Sequence, residues 1–344
     1  MPIETIQERF HIRRKINAHV RRNLARLWDL GSRAQSHQDI LDGLHPWGES
    51  HRLKFDNHLP FLFAALALLT FMIGLMIQNY LSFFWSFLLC LMYVGLYFTT
   101  YESKRPLQEV IVFLEQQVMT LKYQLHFKQL PKHFPIHAQS LLILSQLKQS
   151  FPLFNLGNVS NQITEYASTV WQNEEHRHQV LVFKYHYVNE APIHNQQKDP
   201  IKLKQIEEYR WGVFVFQVPA LGIAVTNKRR AFEEPFTERW HSSDIYINQQ
   251  LRIFGQFEQQ LAHNMTPAFS LKLSDFFNEH QGDLIYHHEK EILCFLGKKN
   301  LFEAQQHKTA IEEVSHLRGH LRTLRLAHYE KLKTDLIQLL QEDQ

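Results

Sequence analysis

Histidine is the residue type that most invites a chemical reading, with 22 in a chain of 344. His316 and His320 stand four apart, the spacing that puts two imidazoles on one helix face. His287 and His288 are adjacent, with Glu289 beside them, Cys294 a few residues on and His280 nearby in sequence. His176 and His178 flank Arg177. A zinc site takes about four such ligands, or three plus water. Neither Cys-x-x-Cys nor His-Glu-x-x-His is present, so His287, His288, His316 and His320 are metal candidates by residue type alone. The competing reading is a set of exposed or hydrogen-bonded imidazoles with some pH sensitivity.

Other chemistry has less to stand on. There is no Gly-x-Ser-x-Gly elbow, no P-loop and no dinucleotide fingerprint, and glycines number only 12. Cys294 sits inside the apolar run ILCFL, where a buried inert thiol is expected. The pairs Glu174-Glu175, Glu207-Glu208 and Glu233-Glu234 read as solvated turns. Lys228-Arg229-Arg230 is a short basic run after a strand, read as a surface loop or a contact for headgroups or an acidic partner. No catalytic residue and no cofactor is expected.

The elements that would carry these residues are organised by an apolar stretch. Residues 59–101 contain no Asp, Glu, Lys, Arg or His. Each half, 59–78 and 81–101, is long enough as a helix to cross a hydrocarbon core of roughly 30 Å. Gln78-Asn79 is the polar break between them. This predicts a transmembrane helical hairpin; the alternative is a buried hairpin in a large soluble core. Arg9, Arg13, Arg14, Lys15, Arg21, Arg22, Arg26 and Arg33 precede it, and Lys104 and Arg105 follow. The positive-inside rule then puts both termini in the cytoplasm. The polar first 50 residues predict a retained anchor and no cleaved signal peptide. A net charge of +3 gives no argument for nucleic acid. Two cysteines build no disulfide framework.

Residues 1–35 show a basic amphipathic period, which either lies on an anionic membrane surface through Arg13, Arg14, Arg21 and Arg22 or packs on another helix of the chain. Residues 36–58 read as a linker with a short helix. Residues 106–150 read as a helical stalk, opened by Pro106. Residues 159–301 are richer in β-branched and aromatic runs, at 180–188, 211–219, 221–227, 245–254, 283–288 and 291–297. A helix over 160–172 is expected to open this domain, and Thr266-Pro267 to start another inside it. Residues 189–200 are a hairpin or crossover loop. From 302 to 344 the helical period returns, with Leu317, Leu321, Leu324, Leu332 and Leu336 as an interaction seam that packs on the first amphipathic helix, on the 106–127 stalk or on another copy of the chain. The fold class expected is an α+β membrane protein: transmembrane hairpin, helical stalk, cytoplasmic mainly antiparallel α+β domain and one long C-terminal helix.

The order of features carries a resemblance. Leu251-Arg-Ile-Phe254 leads into Gly255-Gln-Phe-Glu258, then Met265-Thr-Pro-Ala268 opens a helix, and a strand hairpin ending EILCFLG precedes Leu301-Phe-Glu303. This is similar to a bacterial family of uncharacterised two-span inner-membrane proteins with a cytoplasmic α+β domain, often associated with LemA-type proteins. Gly255-Gln256 departs from the acidic turn common in that family. The resemblance implies inner-membrane residence and brings no activity and no catalytic residues. The function expected is a non-enzymatic scaffold or protein-interaction module, with the lipid bilayer and a protein partner or second copy as partners. The alternative is a membrane-tethered metal-dependent enzyme using a histidine-rich site.

Overall fold

Two helices dominated by large apolar side chains occupy the uncharged stretch in this computed structural model, which describes residues 17–48, 50–77, 83–132, 134–172, 177–192, 203–305 and 310–341. The turn at Gln78-Asn79, Arg13, Arg14, His176 and the loop at 193–200 lie outside the described residues. The chain divides into two compact units. The first takes its described residues from Met1–Lys122 and Gln306–Leu324, the second from Tyr123–Gln305 and Arg325–Gln344.

In the first unit, α1 (Ala18–Arg33) and α2 (His37–Gly43) precede the apolar helices α3 (His58–Ile77) and α4 (Phe83–Thr100), followed by α5 (Arg105–Tyr123). Both α3 and α4 are long and apolar enough to cross a membrane, by length and composition. They pack on each other: Pro60, Ala67 and Gly74 are buried, seven residues apart on one line of α3, and Phe63 stacks on Tyr93 at 6.4 Å. Small residues on such a line let two helix backbones approach. Gly95 does not share this role, since a Cβ there would meet nothing within 4 Å.

The α1 helix is amphipathic and its apolar face is already used. Val20, Leu24 and Leu27 are buried, and Trp28 lies 4.2 Å from Phe113 of α5. At Gly31 a Cβ would fall 2.6 Å from Phe113 and 2.8 Å from Leu114, so glycine permits this close crossing. α2 starts with a capping box between Ser36 and Asp39. The segment expected as a linker is packed in the same unit: Trp47, Leu53 and Phe55 are buried. Leu53 N donates to Glu312 O, and Val314 N to His51 O.

Among the described residues the second unit is built on nine strands: β1 (His126–Phe127), β2 (Ser160–Gln172), β3 (Arg177–Pro192), β4 (Leu203–Phe216), β5 (Ile223–Thr226), β6 (Glu238–Trp240), β7 (Arg252–Gly255), β8 (Gly282–Tyr286) and β9 (Ile292–Gly297). Their order in one sheet is β1-β2-β3-β4-β9-β8-β5-β7-β6. Every pairing among the described strands is antiparallel, as the mainly antiparallel α+β expectation holds. Strand alternation separates two faces. One face buries an aromatic cluster that includes Phe183, Tyr185, Phe214 and Phe216, under the short helices α6 (Ile136–Leu141) and α7 (Leu144–Ser150) and Phe151 and Phe154. The short α8 (Ile245–Gln250) and α9 (Glu258–Asn264) flank β7 in sequence. The other sheet face carries α10 (Pro267–Glu279) and a C-terminal helix. There Phe276 meets Phe295 edge-on at 5.3 Å, and Trp171 Nε1 donates to Tyr329 Oη at 2.9 Å. Thr266 caps α10 as its sequence suggests, its Oγ1 accepting from Phe269 N.

Three expectations are corrected. Residues 160–172 are not a helix but the strand β2, paired with β3 along its whole length. The run at 245–254 is a strand only from Arg252; Asp244 accepts from Tyr246 N and starts α8 in its first part. The single long C-terminal helix is two, α11 (Val314–Thr323) and α12 (Ala327–Leu340). Leu324 and Leu326 leave helical geometry between them, and Tyr123 Oη accepts from Leu326 N. The leucine seam is therefore divided. Leu317, Leu321 and Leu324 fill the core of the first unit, Leu332 and Leu336 that of the second, each at most 1% exposed. These side chains are core residues of this chain itself. Leu336→Ala is expected to lower unfolding stability by about 2–5 kcal/mol, measured by denaturant unfolding; a neutral substitution would contradict its placement.

Candidate functional site

The structure does not assemble the histidines. His287 and His288 belong to the β8–β9 turn of the second unit, His316 and His320 to α11 of the first. His316 is exposed, while His320 is buried with Nε2 2.7 Å from Glu115 Oε1. Among the described residues no group of three or more His, Cys, Asp or Glu is placed to hold a metal ion. His287 has a structural task instead. Its Nδ1 accepts from Glu289 N and Lys290 N, both at 3.0 Å, which fixes the turn and leaves the proton on Nε2. Its ring stacks on His288 at 4.7 Å. Burial pushes the His287 pKa down to about 4, with the neighbouring His288 and Lys290 charges adding to the effect. Cys294 is buried in β9, and burial holds its thiol well above the usual range. That environment opposes thiolate chemistry.

A second pair involves His280. Its Nε2 lies 2.7 Å from Asp335 Oδ2, and Lys331 Nζ approaches the other carboxylate oxygen at 3.1 Å. Burial lowers the His280 pKa, opposed by its bond to Asp335. His280 lines a pocket with Gln281, Phe295, Lys299 and His328. Among the described residues, no serine, threonine or cysteine lines it.

The basic run at 228–230 has a stronger environment than a surface loop. Asp283, 1% exposed in β8, receives Thr226 Oγ1 at 2.6 Å on Oδ1. Its Oδ2 meets Lys228 Nζ at 2.7 Å and Arg230 Nη2 at 2.8 Å. A buried carboxylate is tolerated when paired and hydrogen-bonded in this way. Burial pulls the Lys228 pKa down, and Asp283 acts against it. Thr226, Lys228 and Arg230 converge on Asp283, two cations on one carboxylate, and tie the chain after β5 to β8.

The third arrangement sits where the apolar helices meet the rest of their unit. Asn57 Nδ2 donates to Glu102 O at 2.9 Å, and Asn57 Oδ1 accepts from Glu102 N at 3.0 Å. Asn17 makes the same double bond with the backbone of Asp56. Arg21 reaches Glu102 Oε1 at 2.9 Å, and the Glu102 side chain is 5% exposed. Arg21, expected at a membrane surface, is thus engaged inside the chain. Arg22 stays exposed, its Nε directed to Ala18 O. These asparagines carry no motif; only the pairing of positions 45 and 39 apart reveals them.

No family model matches the chain, and neither does any curated protein or solved structure in the comparisons made.

The depressed His287 pKa has a sign. The ring titrates near 6.5 when unfolded and near 4 in the fold, so the fold favours the neutral form. Its contribution is complete above about pH 6.5 and is lost as pH falls toward 4. The melting temperature of His287→Gln should fall less between pH 7 and pH 4.5 than that of wild type. Equal falls would contradict the assignment.

Proposed function

We infer that the chain is a two-span membrane protein of the bacterial inner membrane. It uses α3 and α4 as an anchor and presents its α+β unit in the cytoplasm as a scaffold or protein-interaction module. The observation that carries the anchor is the exposure of large apolar side chains on both helices. Phe61, Leu68, Met72 and Met76 of α3 are 57–82% exposed, and Phe84, Trp85 and Leu91 of α4 are 59–63% exposed. A contiguous apolar surface of this kind calls for lipid or a partner. Helices satisfy their own backbone in hydrocarbon. The cations before α3 and after α4 support an arrangement with both termini inside. No Asp, Glu, Lys, Arg or His lies in residues 59–101, which disfavours a proton or ion path through the hairpin.

The interaction reading rests on the second unit. Its titratable clusters are occupied with one another: His287 by its own turn, His280 by Asp335, Asp283 by Lys228 and Arg230. For the metal-dependent alternative, His287 and His288 belong to one unit and His316 and His320 to the other, and among the described residues no group of three or more ligands is placed to hold a metal ion.

Alkaline carbonate extraction of membranes, followed by in-cell crosslinking and recovery through a C-terminal tag, tests both halves. The chain is expected to stay in the membrane pellet and to recover a discrete second protein or a second copy. Release by carbonate would remove the anchor. Recovery of the uncrosslinked chain alone would remove the interaction module.

A further inference from the structure

The strand β4 is longer than its neighbour. It pairs with β3 from Leu203 onward, but with β9 only from Trp211↔Gly297 to Phe216↔Ile292. Over residues 203–210, among the described residues, no strand lies on the side away from β3. Residues 204–207 are exposed, Ile206 by 41%. An open edge of this length is a template for another strand, and proteins ordinarily block it with charge, proline or a bulge. The charges here are arranged so that they match one occupant.

We propose that residues 204–208 of β4 pair antiparallel with the same residues of a second copy, about a two-fold axis through Ile206. Opposed residues in an antiparallel pair share a sheet face, and a two-fold normal to the sheet preserves faces. The axis must therefore pass through a residue. An axis at Ile206 sets Lys204 opposite the second copy's Glu208, twice by symmetry, with Gln205 opposite Glu207 and Ile206 on Ile206. An axis at Glu207 would set Glu207 on itself and Lys204 against Arg210. An axis at Gln205 would leave Lys204 facing Ile206. The groups are available for the favoured register. Lys204 has no ion pair among the described residues. Glu208 accepts from Tyr187 and Arg210 through Oε2, which holds its carboxylate in place and leaves Oε1 unused among the described residues. A contact of this kind joins two nine-stranded sheets into one continuous sheet, with an isologous interface.

This inference deepens the interaction reading by naming the partner as a second copy and the surface as the β4 edge. The test is Ile206→Cys in the full chain, oxidised by copper phenanthroline in native membranes. At the axis the two Cα atoms lie roughly 4.5–5.5 Å apart, within disulfide reach. A disulfide-linked dimer above the wild-type background from Cys90 and Cys294 is expected. Adding Lys204→Glu should reduce the dimer by about 2- to 30-fold, the range for two cross-strand charge pairs. Restoring complementarity with Glu208→Lys should return it. Sedimentation of the wild type, which carries no substitution, should show a dimer. A monomeric wild type, or an Ile206→Cys chain that crosslinks no better than wild type, overturns the proposal. A monomer that captures a different protein would overturn it while the interaction module stands.

Discussion

Asn57 and the backbone of Glu102 hold each other by two hydrogen bonds, and that pair fixes where the apolar helices begin and end. A helix leaves four backbone groups unsatisfied at each end, and at this point two helix ends lie side by side. The asparagine amide presents an N–H and a C=O side by side, so it closes on the Glu102 C=O and N–H together. Asn17 repeats the device on Asp56, and Arg21 neutralises the buried Glu102 carboxylate. The apolar surfaces of α3 and α4 consequently leave the unit from one polar clasp. The same clasp consumes Arg21 and orients α1, whose apolar face is buried among α5 and the 47–55 segment instead of being free for lipid.

The second unit depends on a different balance. The Asp283 carboxylate is inside the sheet, where an isolated charge would be very costly. Thr226, Lys228 and Arg230 meet it from the strand and loop on one side, so the charge becomes a tie between β5 and β8. Phe232 and Phe236, which follow in the same loop, enter the aromatic cluster on that sheet face. Packing and ion pairing thus close the same loop. Among the described residues, the backbone of β4 before Trp211 has no neighbouring strand on the side away from β3.

Local signals in the sequence were legible where the physics is local. An uncharged stretch over 59–101 announces α3 and α4, Thr266-Pro267 announces α10, and the runs around 283–297 announce the β8–β9 hairpin. Strand β2 was hidden because its register shifts between Ile163 and Glu165, so the two-residue alternation changes phase within one strand. The leucine period from 317 to 336 runs through a helix break, because spacing reports a buried face without saying which core buries it. The candidate sites were less legible still. Asp283 meets Lys228 only because β5 and β8, far apart in sequence, are neighbours. Asn57 and Glu102 meet only because the hairpin returns to its starting level.

The central claim is that α3 and α4 form a membrane hairpin whose clasped ends face the cytoplasm. Labelling of single introduced cysteines with a membrane-impermeant maleimide tests it most directly. In intact spheroplasts, Asn79→Cys should react at once. Ser103→Cys should react only after permeabilisation. Reaction of Ser103→Cys in intact spheroplasts, with Asn79→Cys protected until permeabilisation, would contradict the account.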